Sequence, residues 1–125
     1  QVGAQIIVSP NMDAAVIRAT VAGGMISAPG CLTPTESFAA LNAGAHAVKL
    51  FPGELLTPGT VKAMRAVLPK EANVMVVGGV TVENMASFHA AGATGFGIGG
   101  SIYRAGDAAA DAGCRAAAFV AAMQL

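Results

Sequence analysis

Residues 73–101, NVMVVGGVTVENMASFHAAGATGFGIGGS, contain two short apolar runs separated by a helical pattern, and each run enters a glycine pair. In the first run, 73–77, Val74, Met75, Val76 and Val77 leave no polar face. A strand of that kind is covered on both sides, as strands are when they pair in parallel beneath helices. Thr81 is placed to cap the helix that follows, 82–91, and Gly92 to end it. The second run, 94–98, then enters Gly99, Gly100 and Ser101. Strand, helix, strand in this order is the repeating unit of a parallel α/β sheet.

The same grammar continues upstream. The run AQIIVS, 4–9, is stopped by Pro10, and Asn11 is placed to cap a helix over 12–23. A second strand, MISA at 25–28, is expected to stop at Pro29 and Gly30. Thr33, Pro34 and Glu36 then form a capping box with proline at the first helical position, opening a helix that runs to Asn42. The third strand lies within HAVKLFPGE, 46–54, after which Thr57 and Pro58 open a helix over 59–68. Beyond Ser101 the chain predicts an alanine-rich helix, 107–123, with Ala116, Phe119, Val120 and Met123 on one face.

Strand ends therefore recur near Ser9, Ala28, Phe51, Val77 and Ile98, about one every 22 residues. That spacing fits a parallel (β/α)₈ TIM barrel, whose eight units need about 200 residues or more. Five units cannot close such a barrel. The expectation is a single domain over 1–125 that supplies the C-terminal part of the barrel, strands four to eight. An open doubly wound sheet is the alternative, weakened because no GxGxxG follows the first strand. A first residue that is Gln rather than Met fits a part lost upstream.

Composition narrows the function. Hydrophobic residues make up 54% and charged residues 11%, which excludes disorder. Net charge is zero, with no basic patch, so neither nucleic acid nor an anionic membrane is expected as a partner. Aromatics at 5% also argue against a base-stacking platform. No apolar run reaches the roughly 18 residues of a membrane span, and the start lacks the charged region of a signal peptide. Cys31 and Cys114 have no metal or CxxC spacing. They read as small core residues of a reducing compartment, hence a cytoplasmic protein without a metal.

Of the fourteen formal charges, Lys49 alone falls in a strand. An ordinary account is that it snorkels to the rim. Its apolar neighbours favour burial, which disfavours the charged amine. A neutral buried amine near a strand's C-terminal end is what Schiff-base attack on a carbonyl requires. Such chemistry also needs a proton shuttle. Glu54, in the loop after the strand, is the nearest acid in sequence, with a solvated loop carboxylate as its plain reading. His46 reads as structural, and His89 as a contact to its helix's C-terminal dipole. The glycine turns Gly78-Gly79 and Gly99-Gly100-Ser101 suit a phosphate, since bare backbone N–H groups and a following helix attract an anion. Tight turns alone would also explain them.

Five segments, IIVSPNMD, PGCLTPTESF, AVKLFPGE, VVGGVTVENM and GIGGSIYRAG, resemble in order the motifs of the KDPG/KDPGal aldolase family, its galactonate branch most of all. The resemblance spans essentially the whole chain, and AVKLFP is its most specific piece. It implies a class I aldolase on a (β/α)₈ barrel, trimeric, needing no metal or other cofactor. The reaction splits a phosphorylated 2-keto-3-deoxy sugar acid into pyruvate and glyceraldehyde 3-phosphate. By resemblance Lys49 is the Schiff-base lysine, and Pro10 and Phe51 line the pyruvate end. Gly78, Gly79, Gly99, Gly100 and Ser101 fall on the phosphate loops. Val77 stands where gluconate-type members carry threonine. The family's catalytic glutamate, a substrate-binding arginine and a GTV threonine belong to strands that this sequence does not contain. The chain alone is therefore expected to turn over poorly. Other readings are the same reaction on the gluconate epimer, a non-catalytic phosphate-binding half-barrel, and a barrel of the thiamin phosphate synthase type, which gives Lys49 no role.

Overall fold

The computed structural model describes residues 2–123. Parallel strands alternate with helices throughout: β1 (Ile6–Val8), α1 (Ala14–Ala22), β2 (Ile26–Ala28), β3 (Gly30–Cys31), α2 (Pro34–Asn42), β4 (Ala47–Leu50), α3 (Pro58–Val67), β5 (Asn73–Val77), α4 (Val82–Ala90), β6 (Gly95–Gly97) and α5 (Ala109–Ala122). A 3₁₀ turn, Gly53–Leu55, follows β4. Strand β5 occupies the residues the sequence marks for it.

Three threonines start helices as their spacing predicts. Thr33, Thr57 and Thr81 each accept the N3 backbone N–H and complete a capping box. At Thr33 the Glu36 carboxylate also accepts the N–H groups of Leu32 and Thr33, both at 2.8 Å. Those bonds, Leu32's first, hold the Glu36 carboxyl below its ordinary range. Glu36 thus stabilises the fold above that range, and the contribution fades as pH falls through the lowered value. Thr33→Ala should cost about 1 kcal/mol of unfolding free energy, read from urea melts at neutral pH.

The first helix is capped differently from expectation. Asp13, not Asn11, holds its N-terminus, with Oδ1 accepting from Ala15 and Val16 at 2.8 and 3.2 Å. Asn11 instead sits in the bend after Pro10, where its carbonyl accepts the Ser9 hydroxyl.

The second strand also departs from its expected end. Pro29 interrupts it without ending it, and the chain resumes as β3. Ser27 O accepts from His46 N and Pro29 O accepts from Lys49 N, both at 3.0 Å. Two steps on one strand therefore face three on its neighbour, which is a β-bulge. Proline is tolerated at such a point because it has no N–H to place in the ladder. The bulge divides the hydrogen-bonding into a two-stranded sheet, β1-β2, and a four-stranded one, β3-β4-β5-β6.

Val48, Leu50, Val74 and Val76 face the helices and are 1% exposed or less. They form one core with Ile17, Val61, Met85 and Phe119. The outer edges are less covered. Ile6 and Val8 on β1 are 51% and 56% exposed. At the other edge Phe96, Ile98 and Ile102 share an apolar groove of about 350 Å³ with α5. Of the face expected for that last helix, only Phe119 is buried; Val120 and Met123 are exposed and Ala116 is half-covered. Cys31 is a core residue as expected, but Cys114 is exposed, because it lies on the outward side of α5. Among the described residues no helix is long and apolar enough to cross a membrane.

Candidate active site

Lys49 lies in the last half of β4, in register with Gly30 on β3, Met75 on β5 and, through Met75, Gly95 on β6. Side chains of one register row share a face. This row lies opposite the helix-covered row of Cys31, Leu50, Val76 and Phe96, so Lys49 projects from the sheet face away from the helices. It is 6% exposed. The rim account of this lysine does not hold.

Burial pushes the Lys49 amine below the ordinary lysine value, while the neighbouring Cys31 thiol acts weakly the other way. The thiol itself is pushed up to about 11, chiefly by its own burial, and so stays protonated at neutral pH. The only ion pair among the described residues, Arg115 with Asp107, is elsewhere. The Lys49 ammonium nitrogen instead stands 4.6 Å from the centre of the Phe51 ring. An amine with an aromatic face and no carboxylate partner loses its proton more easily than one in an ion pair.

Phe51 meets the lysine directly, and Pro10 meets its register partner. Phe51 follows it along the chain. Pro10 approaches from the end of β1: its carbonyl presses on Gly30, the register partner of Lys49, so closely that any Cβ at Gly30 would overlap it. Gly30 was not marked by the sequence as a site residue. The signal for it lies in cross-strand register, which the linear pattern does not carry.

The glycine turns form a neighbouring cavity of about 420 Å³, lined by Gly78, Gly79, Gly99, Gly100, Ser101 and Glu54 among others. Gly78 and Gly79 have φ of 102° and 63°, a conformation that glycine adopts without strain. Gly99 and Gly100 differ: neither has positive φ, and a Cβ on either would meet nothing within 4 Å. The backbone does not demand glycine at those two positions, and its effect is to leave space in the pocket. The Ser101 hydroxyl donates to Val80 O at 2.8 Å and ties the two turns together. Only the first turn leads into a helix, α4. After the second the chain makes a single turn, Tyr103 N to Gly99 O at 3.0 Å, and no regular helix begins before Ala109.

The remaining candidates sit apart from the amine. His46 Nδ1 accepts the Ser27 N–H at 3.1 Å, a structural bond at the bulge. His89 Nδ1 lies 3.0 Å from Ala93 O at the end of its helix. The Glu54 carboxylate rests over Gly78 and Gly79, on the glycine-turn cavity. Lys49 is not in the lining of that cavity.

The chain is similar to several known proteins. The chain is 48% identical over 122 residues to 2-dehydro-3-deoxy-6-phosphogalactonate aldolase of Escherichia coli K12, covering 98% of this chain and 60% of that protein. It is 46% identical over 121 residues to the probable enzyme of the same name in Rhizobium meliloti, covering 97% and 57%. The chain thus spans about three-fifths of the length of these curated relatives. A solved native KDPGal structure superposes with a TM-score of 0.96 at 48% identity, over 98% of this chain and 59% of that one. The family model for KDPG and KHG aldolases matches residues 1–113, a span that holds Lys49, Pro10, Phe51 and both glycine turns, and the chain belongs to that family.

Proposed function

We propose that these residues carry the nucleophile and the phosphate end of a class I aldolase that splits 2-dehydro-3-deoxy-6-phosphogalactonate into pyruvate and glyceraldehyde 3-phosphate. The observation that carries this reading is the buried Lys49 amine, displaced toward its neutral form and unpaired with any carboxylate. Neutral, it attacks the 2-keto carbon, and loss of water leaves an iminium. The iminium draws the electron pair of the breaking C3–C4 bond as the C4 hydroxyl gives up its proton. The aldehyde departs with the phosphate, and the enamine takes a proton at C3 before hydrolysis frees pyruvate and the amine. No metal is required, because the protonated imine is the electron sink.

Phe51 and Pro10 bound the pyruvate end, and Gly78, Gly79, Gly99, Gly100 and Ser101 receive the phosphate. The shuttle for the two proton transfers is a further matter: Cys31 is too weak an acid, and Glu54 rests over the glycine turns. We infer that the acid–base group lies on strands outside these residues. Those strands would cover the exposed edges at β1 and β6 and close the barrel. The galactonate epimer is preferred because both curated relatives above carry that name. Free cysteines fit a reducing cytoplasm, and a homotrimer follows from the family resemblance.

The test is incubation with pyruvate, reduction with borohydride and peptide mass spectrometry. A pyruvyl adduct on Lys49 is expected, with little or no turnover by these 125 residues alone. No adduct would sink the Schiff-base reading. Turnover at an ordinary aldolase rate would sink the assignment of the shuttle elsewhere.

A further inference from the structure

The cavity over the glycine turns holds one side chain that a phosphate pocket does not call for. Glu54 stands on the 3₁₀ turn after β4, and its carboxylate is laid over Gly78. A Cβ placed on Gly78 would stand 3.0 Å from both Cδ and Oε1 of Glu54, and one on Gly79 would stand 3.0 Å from its Cγ. The rest of the lining is glycine, aliphatic side chains and Ser101, with no lysine or arginine. Two guanidinium groups stand in the adjoining cavity, beyond Gly100 and Ser101: Arg104, whose Nε donates to Gly100 O at 3.4 Å, and Arg115, which is engaged by Asp107.

We propose that Glu54 is a specificity-determining residue that limits how tightly the glycine turns hold a dianionic phosphate. This rests on the phosphate reading of the pocket given above. Backbone N–H groups offer only partial positive charge. A full negative charge beside them offsets part of that attraction, and no side-chain cation in the lining compensates. The residue is exposed, so solvent and salt screen the repulsion. The resulting penalty on a dianion is on the order of fivefold in Kd at low ionic strength. The benefit is exchange: a phosphate held by amides alone in a closed-off pocket leaves slowly, whereas this one is loosened by a resident charge.

The experiment is titration of isotope-labelled protein with inorganic phosphate at low ionic strength, followed at the amides of Gly78, Gly79, Gly99 and Gly100. Glu54→Gln keeps the shape and removes the charge. It should bind about fivefold tighter than the parent, with the gap shrinking as salt is added. Glu54→Lys should bind tighter still. Equal affinity in parent and Glu54→Gln at low salt overturns the proposal. Weaker binding by Glu54→Gln overturns it too, because the carboxylate would then be organising the turns rather than opposing the ligand. If phosphate shifts none of these amides in any of the three proteins, the phosphate reading of the pocket itself fails.

Discussion

Lys49→Met should need more urea to unfold than the parent at neutral pH, while losing all pyruvate adduct. Methionine keeps an unbranched stem of similar length in a buried position and removes the amine. In the parent the folded amine titrates below its ordinary value of 10.5. Between the lowered value and the ordinary one, the unfolded chain binds more protons than the folded one. Parental stability therefore rises with pH through that window, and below it the burial cost is at its full value. Removing a buried charge that has no carboxylate partner is worth on the order of 1 kcal/mol, which sets the gain expected for the methionine variant. The gain should vanish above the ordinary lysine value, where both amine states are neutral. A variant less stable than the parent at every pH would mean that the lysine supports the fold. The nucleophile would then need another explanation for its burial.

Gly30→Ala should be among the most damaging single methyl groups in the described residues. The added Cβ would overlap the Pro10 carbonyl and stand 3.0 Å from Ser9 O. These are backbone atoms, and no rotamer change moves them aside. Relief requires β1 and its following bend to swing away from the sheet. Overpacking a buried site against backbone costs about 1–3 kcal/mol, and the upper end applies here. In a chain of this size that is a fall in Tm of roughly 10 °C. Calorimetry with borohydride trapping on the same sample gives the second readout, since Pro10 would be displaced from the row that holds Lys49. A variant that melts with the parent would show that the β1 bend is loosely seated.

Much of the fold follows from local chemistry, which is why it is readable along the chain. Thr33, Thr57 and Thr81 cap their helices because a hydroxyl three residues before an orphan N–H needs nothing from the rest of the molecule. Strand β5 keeps its expected bounds because its residues are apolar on both faces and glycine follows at once. The departures need three-dimensional knowledge. Asp13 displaces Asn11 as a cap because Pro10 directs the chain into a bend first. Pro29 reads as a stop, yet its carbonyl still serves the ladder.

The candidate site divides the same way. Lys49 is visible as a charge among apolar residues, and the glycine pairs are visible as punctuation. Gly30 is invisible, since its meaning comes from a strand end that passes over it. Glu54 is visible only as the nearest acid, and its position over the glycine turns reverses the role that proximity in sequence suggests.

The bulge between Ser27 and Lys49 has a bearing on lost residues. Because two steps face three there, β4 carries one residue more than the ladder needs before the regular register resumes at Lys49. Loss of Ala47 would therefore be absorbed: two steps would face two, and Lys49 would still stand opposite Gly30. A deletion of the same size beyond the bulge, between Lys49 and Phe51, would find no such slack and would turn the residues after it to the opposite faces. Tolerance of β4 to changes in length is thus uneven, with slack just before the amine and none just after it.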